Sequence, residues 1–237
     1  MKLHVLPGDS LTDRFRETGI DGETAICREC LIEGDVKADS LDVFWHLRAS
    51  FLSKTYPEFE QSYFDNVVPE LAKIQDLPAG SEVNLWFEHE LFCQVNLWFC
   101  LSLLAGTKAD VFRVEPCTTE IWKGFGNLVS EDLAASFSAR RRLSPGDIEL
   151  GKHLWTAYQN ADYPELSRLS KTASDRFPHL EEVCLAEIEK ATRPLQILDD
   201  IRREGISAFP DVFAEFSRRA GIYGYGDSQV KRLIQTS

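Results

Sequence analysis

Leu85-Trp86-Phe87-Glu88-His89-Glu90-Leu91-Phe92-Cys93-Gln94 is the stretch on which the fold turns: an apolar run stops at three titratable residues, and an apolar helical pattern starts directly behind them. Val83 and Leu85 to Phe87 read as the end of a buried strand, Glu88, His89 and Glu90 fill the turn, and a helix is predicted from about Leu91 to Leu104. Ligands of an open parallel sheet sit outside the carboxyl ends of its strands, so Glu88, His89, Glu90 and Gln94 fall where a site is expected. Two carboxylates flanking an imidazole can tune one another's pKa values and serve as acid, base or metal ligand. The same residues also suit a plain helix start, with Glu88 or Glu90 favoured by the helix dipole and His89 a half-buried neighbour.

Working outward, the chain alternates strand and helix before turning helical. Leu3 to Leu6 reads as a first strand, Pro7 to Ser10 as a turn, and Leu11 to Glu17 as a helix ended by Gly19. Glu23 to Cys30 reads as a second strand. Helical patterns follow at Ser40 to Lys54 and Glu58 to Ile74, whose aromatics, Phe44, Phe51, Phe59 and Tyr63 among them, are core residues first. A fourth strand, Val111 to Val114, closes at Glu115-Pro116. This alternation predicts an α/β protein, a Rossmann-like three-layer domain over residues 1–128 with a short parallel sheet in the order 2-1-3-4. From 129 to 237 the expectation is an all-helical C-terminal region that packs tightly on the first domain. The helix, turn, helix and glycine-rich order ending in Gly221 to Gly226 would fit a winged-helix-like module with a hairpin at those glycines.

Composition narrows the function classes. Hydrophobic residues make up 43% of the 237 residues and charged ones 27%, as in an ordinary soluble globular chain, and no run approaches the ~20 apolar residues of a membrane span. The N-terminal apolar run is too short for a secretory signal, and six cysteines, several inside apolar runs, read as reduced core residues; both point to the cytoplasm. Cys27 and Cys30 form a lone Cys-x-x-Cys, too little for a zinc site, and no metal is expected. A net charge of -12 disfavours nucleic acid, and residues 193–232, with 7 Lys/Arg against 6 Asp/Glu, form no basic stripe.

Several short motifs carry chemistry. Gly8-Asp9-Ser10-Leu11 is similar to the first block of the GDSL-type serine esterases, with Ser10 in the place of the nucleophile. Gly126-Asn127 could supply oxyanion donors, but the late Asp175 to His179 segment is one residue too long and falls in the helical region. Alternatively Gly8 permits a tight turn, Asp9 or Ser10 caps the helix, and free backbone N–H groups meet an anion. Gly124-Phe125-Gly126 is a second turn that could approach a ligand closely. Neither glycine motif completes a nucleotide fingerprint, so no cofactor is named.

Taken together, Leu3 to Ser10, Cys27-Arg28-Glu29 with Glu33-Gly34, Leu85 to Gln94, Lys123 to Leu128 and Leu154 to Tyr158 resemble the successive motifs of the bacterial domain of unknown function 1835 family, over roughly residues 1–165. Typical members carry Trp before the Arg-Glu pair and Asp after the His, where this chain has Cys27 and Glu90. The resemblance implies no activity. The topology implies one cleft drawing on Gly8, Asp9, Ser10, Arg28, Glu29, Glu88, His89, Glu90, Gln94, Gly124, Gly126 and Asn127, since each group follows a different strand. In it, His89 would act as acid or base beside Glu88 or Glu90, with Asp9 among the catalytic carboxylates. Arg28 would clamp an anion, and the Gly8 turn would cradle it. The expected ligand is a small phosphate-bearing or nucleotide-like anion, bound by an enzyme or a binding protein. The alternative is a non-catalytic sensing or interaction module whose helical tail reads out the pocket.

Overall fold

The computed structural model describes residues 1–56 and 62–236; the expected helical positions Glu58 and Phe59 lie outside them. Four parallel strands, β1 (Lys2–Leu6), β2 (Glu23–Ile26), β3 (Glu82–Trp86) and β4 (Asp110–Val114), pair in the expected order β2-β1-β3-β4. A two-residue β5 (Arg141–Arg142) adds itself antiparallel to β4. The region from 129 onward is therefore not wholly helical. The second strand is also shorter than expected: it ends at Ile26, and Cys27 to Cys30 form a loop beyond its carboxyl end.

Strand alternation distributes the core over two faces, because successive side chains point to opposite sides. Leu3, Val5, Ala25, Val83, Leu85 and Val111 face the larger apolar cluster, whereas Leu6, Ile26, Trp86 and Val114 face a smaller one. The smaller cluster is covered by α1 (Thr12–Glu17) and α6 (Ser130–Ser138) through Phe15 and Leu133. On the other face lie α2 (Leu41–Thr55), the short α3 (Tyr63–Asn66), α4 (Val68–Gln75) and α5 (Leu91–Leu104). The single helix expected up to Ile74 is broken at Val67, where Pro69, lacking an N–H, opens the first turn of α4 instead of continuing α3.

Helix α5 is buried almost all round, Trp98, Cys100, Leu101 and Leu104 included, as its apolar run dictates. Against it pack α7 (Pro145–Gln159) and, beyond, α8 (Tyr163–Leu169), α9 (Leu180–Glu189), α10 (Arg193–Arg203) and α11 (Phe209–Ala220). Gly151 in α7 lies so close that a Cβ would come within 2.3 Å of Leu101. One apolar cluster joins Leu3 and Leu85 to Trp155, Phe216 and Val230, so the core runs unbroken across residue 128. The glycine-rich segment is not a hairpin. Residues Gly221–Tyr223 form a single 3-10 turn, followed by α12 (Asp227–Thr236), so the wing of the expected winged-helix-like module is replaced by a helix entry. No helix among the described residues is long and apolar enough to cross a membrane.

Candidate functional site

The strand ends hold two separate constellations. A cavity of about 730 Å³ opens at the carboxyl ends of β1 and β2, between α2, α3, the first turn of α5 and α12. Its floor and walls are largely apolar: Leu52, Tyr56, Tyr63, Phe64, Val67 and Phe92. Phe64 keeps 42% of its surface exposed, so its ring is accessible from the cavity. The charged residues of the lining, Asp9, Arg28 and Glu29, come from the segments that follow β1 and β2, and Ser50, Ser53, Ser62 and Gln229 add polar atoms elsewhere on the wall.

Of these, Glu29 is spoken for. Its carboxylate accepts from buried Arg48 (Nε 3.1 Å, Nη2 2.9 Å), from the Tyr63 hydroxyl and from the Cys30 backbone N–H at 3.1 Å. Arg48 also donates to the carbonyls of Cys30 at 2.8 Å and Glu33 at 2.7 Å, so it ties down the loop after β2. This pair is a satisfied internal bridge that shapes the cavity wall. Arg28 differs, being part-exposed: Nε donates to both Asp9 oxygens (3.0 and 2.8 Å), Nη2 to one of them (2.8 Å), and Nη1 to the Asn66 carbonyl (2.7 Å). Gly8 enters the turn with extended backbone, φ 170°, and a Cβ there would meet nothing within 4 Å. Among the described residues nothing requires a glycine at that point of the cavity wall.

The second constellation is the turn between β3 and α5. Glu90 caps α5, its Oε1 accepting the Cys93 N–H at 2.9 Å. Glu88 Oε1 accepts the Phe125 N–H at 2.5 Å, and its backbone carbonyl accepts from Gln94. Oxygens of the two carboxyl groups and the Cys93 Sγ all lie within 4.8 Å of one another. Burial, reinforced by the neighbouring Glu88, pushes Glu90 up to about 8; burial also raises Glu88, and it drives the Cys93 thiol well above its ordinary value. Near neutral pH Glu90 and Cys93 therefore hold their protons, beside the Glu88 carboxyl group. Two glycines enclose it: a Cβ on Gly124 would fall 1.9 Å from the Glu88 carboxyl carbon, and one on Gly224 would fall 2.4 Å from Glu90 Cγ, both at positive φ. The Gly124 backbone thus packs directly against the Glu88 carboxyl group. Gly124→Ala should cost about 3 kcal/mol or more, combining left-handed strain with overpacking, whereas Gly126→Ala, with 3.9 Å of clearance, should cost under about 0.5 kcal/mol in urea unfolding.

His89 points to neither glutamate. Its Nδ1 lies 3.4 Å from Arg113 Nη2 and 3.8 Å from Glu115, and its ring packs edge-to-face with that of His179, the centroids 5.1 Å apart. Arg113 is buried and also pairs with Glu115, which Arg141 bridges from β5. Burial, then the positive charge of Arg113, lowers His89 to about 4, Glu115 offsetting only part. The imidazole is thus neutral at pH 7, an acceptor for Arg113 and not an acid–base group oriented by Glu88 or Glu90. Arg113 itself is brought down by burial to about 10.

The expected single cleft is therefore divided. Gly8, Asp9, Arg28 and Glu29 line the cavity; Ser10, Glu88, His89, Glu90, Gln94, Gly124, Gly126 and Asn127 do not. Gly126 and Asn127 are exposed on a loop fastened by Arg14, which donates to the Gly126 carbonyl at 2.7 Å. Exposed Ser10 has no histidine hydrogen-bonded to it among the described residues, and His179 packs on His89 and Trp122. The serine-hydrolase arrangement is not assembled. Comparison with family models, with curated proteins and with solved structures gave no match. The cavity residues are thus weighed on their chemistry alone. Phe64, Phe92, Tyr56 and Gln229 also line the cavity, although no motif in the sequence marks them. One signal was present: Tyr63 and Phe64 are adjacent in a helix, and neighbours 100° apart cannot both face one narrow core.

Proposed function

We propose that this Rossmann-like α/β protein binds a small organic molecule with an apolar body and an anionic group at one end, seated in the cavity at the carboxyl ends of β1 and β2. The observation that carries the reading is the coincidence of an apolar cavity of about 730 Å³, within the size range of small-molecule sites, with a part-exposed arginine at its mouth. Phe64 and Phe92 would cover the flat or apolar body, and Arg28 would meet the phosphate or carboxylate. Kinship with the domain of unknown function 1835 family, on motif order, belongs to this reading and adds no reaction to it.

A second reading is favoured by one contact. Gln229 of α12 lines the same cavity and donates to the Tyr56 hydroxyl at 3.0 Å, while Arg232 holds Glu33 at 2.6 Å. Occupancy would thus be felt by the C-terminal helix, as in a sensing module. Both readings are tested by a thermal-shift panel of nucleotides, sugar phosphates, aromatic carboxylates and aromatic amino acids. A ligand at a hundred times its Kd should add about 2.7 kcal/mol of stability. Gly8→Ala is expected to leave the unliganded protein as stable as wild type, or slightly more so, and to weaken the hit by crowding the wall. A panel that shifts nothing, with wild type and Gly8→Ala indistinguishable throughout, would sink the proposal.

A further inference from the structure

The charged end of the cavity is not a lone cation. Arg28 spends Nε and one N–H of Nη2 on Asp9 and one N–H of Nη1 on the Asn66 carbonyl, which leaves, among the described residues, one N–H on each terminal nitrogen without a protein acceptor. Asp9 is 64% exposed in its side chain, so lone pairs of its carboxylate remain open to a further donor. Both residues line the cavity side by side, with Nε and Oδ2 2.8 Å apart. The pair is close to neutral as a unit, and its two halves face a ligand as a plus beside a minus.

That arrangement discriminates among head groups. A simple anion reaching Arg28 meets the Asp9 carboxylate next to it and must tolerate the repulsion or break three short hydrogen bonds. A simple cation reaching Asp9 meets Arg28 in the same way. A head group carrying both charges on neighbouring atoms lies antiparallel to the pair and gains at each end. Such a ligand has no net charge, so the chain's net charge of -12 does not repel it, as it would a polyanion. Resting on the cavity reading above, we propose that the ligand is a zwitterion of the α-amino acid type, its carboxylate on Arg28, its ammonium on Asp9, and its aromatic or extended apolar body against Phe64 and Phe92.

A matched set tests this: L-tryptophan, indolepropionate, which lacks the ammonium, and tryptamine, which lacks the carboxylate, each titrated calorimetrically into the full chain. Tryptophan should bind at least about tenfold tighter than either analogue, and Asp9→Asn should narrow or reverse its lead over indolepropionate, because the like charge facing the carboxylate is gone. Equal binding of tryptophan and indolepropionate to wild type, or an unchanged ratio in Asp9→Asn, would overturn the zwitterion. Nile red, a neutral apolar dye, separates this failure from failure of the cavity reading. If the dye binds in a way that Phe64→Ala abolishes while none of the three indoles binds, the zwitterion falls and the cavity stands. If the dye does not bind either, both fall.

Discussion

Glu90→Gln is expected to raise the melting temperature at pH 8 and above by roughly 10 °C, on the scale of about 2–4 °C per kcal/mol for a chain of this size, and to leave it nearly unchanged at pH 5. The side chain is buried and its folded-state pKa is about 8, against an ordinary 4.5, because desolvation and then Glu88 penalise the anion. The folded protein binds that proton more tightly than the unfolded chain does. Its contribution to stability is therefore fully present below about 4.5 and is lost as pH rises through about 8. At about 1.4 kcal/mol per pKa unit, the loss is at most about 5 kcal/mol and falls to about 3 kcal/mol once it is shared between the two carboxyl groups. Glutamine keeps an oxygen to accept the Cys93 N–H and places an amide N–H toward Glu88 with no charge to bury.

The acid side has the opposite sign. His89 is depressed to about 4 from 6.5, so its contribution is present above 6.5 and is lost as pH falls toward 4. Between about 4.5 and 6.5 the two slopes oppose each other, and above 6.5 only the Glu90 slope remains. Wild type should hold a plateau and then fall between pH 6.5 and 8; Glu90→Gln should not fall there. Parallel melting curves for the two proteins over that interval, followed by tryptophan fluorescence, would show that Glu90 is ionised without cost.

Much of the sheet was legible because parallel strands buried on both faces read as short apolar runs closed by charges. Leu3 to Leu6 and Val111 to Val114 do so, and Glu90 marks the start of α5 as its cap. β5 was invisible for the complementary reason: Arg141 and Arg142 carry no apolar pattern, and the strand exists through two backbone partners on β4 and the pairing of Arg142 with Asp110 and Arg141 with Glu115. The glycines from Gly221 to Gly226 suggested a hairpin, yet Gly224 is a glycine so that Glu90, far away in sequence, can approach it. The site divided for a similar reason. Topology places residues at strand ends, but not which way each side chain turns, and Arg113, an arginine inside a predicted buried strand, was the clue that His89 would be claimed by its own neighbours.

The two arginines after β2 should separate structure from recognition more sharply than any other pair of substitutions. Arg48→Met is expected to cost about 3–5 kcal/mol, because it leaves the Glu29 charge buried with only the Tyr63 hydroxyl and the Cys30 N–H, and frees the carbonyls of Cys30 and Glu33. Removing both charges together, in Glu29→Leu with Arg48→Met, should recover part of that loss, since it is the unpaired charge that is expensive. Arg28→Met should cost no more than about 1 kcal/mol, as its Asp9 partner is largely solvated, while abolishing binding of the charged ligand. Urea unfolding of the four proteins, with calorimetric titration of the best ligand, checks the whole set. A loss in Arg28→Met as large as in Arg48→Met would make the Asp9–Arg28 pair a strut of the fold and remove it from recognition, because a residue held chiefly for binding leaves stability nearly untouched when it is cut away.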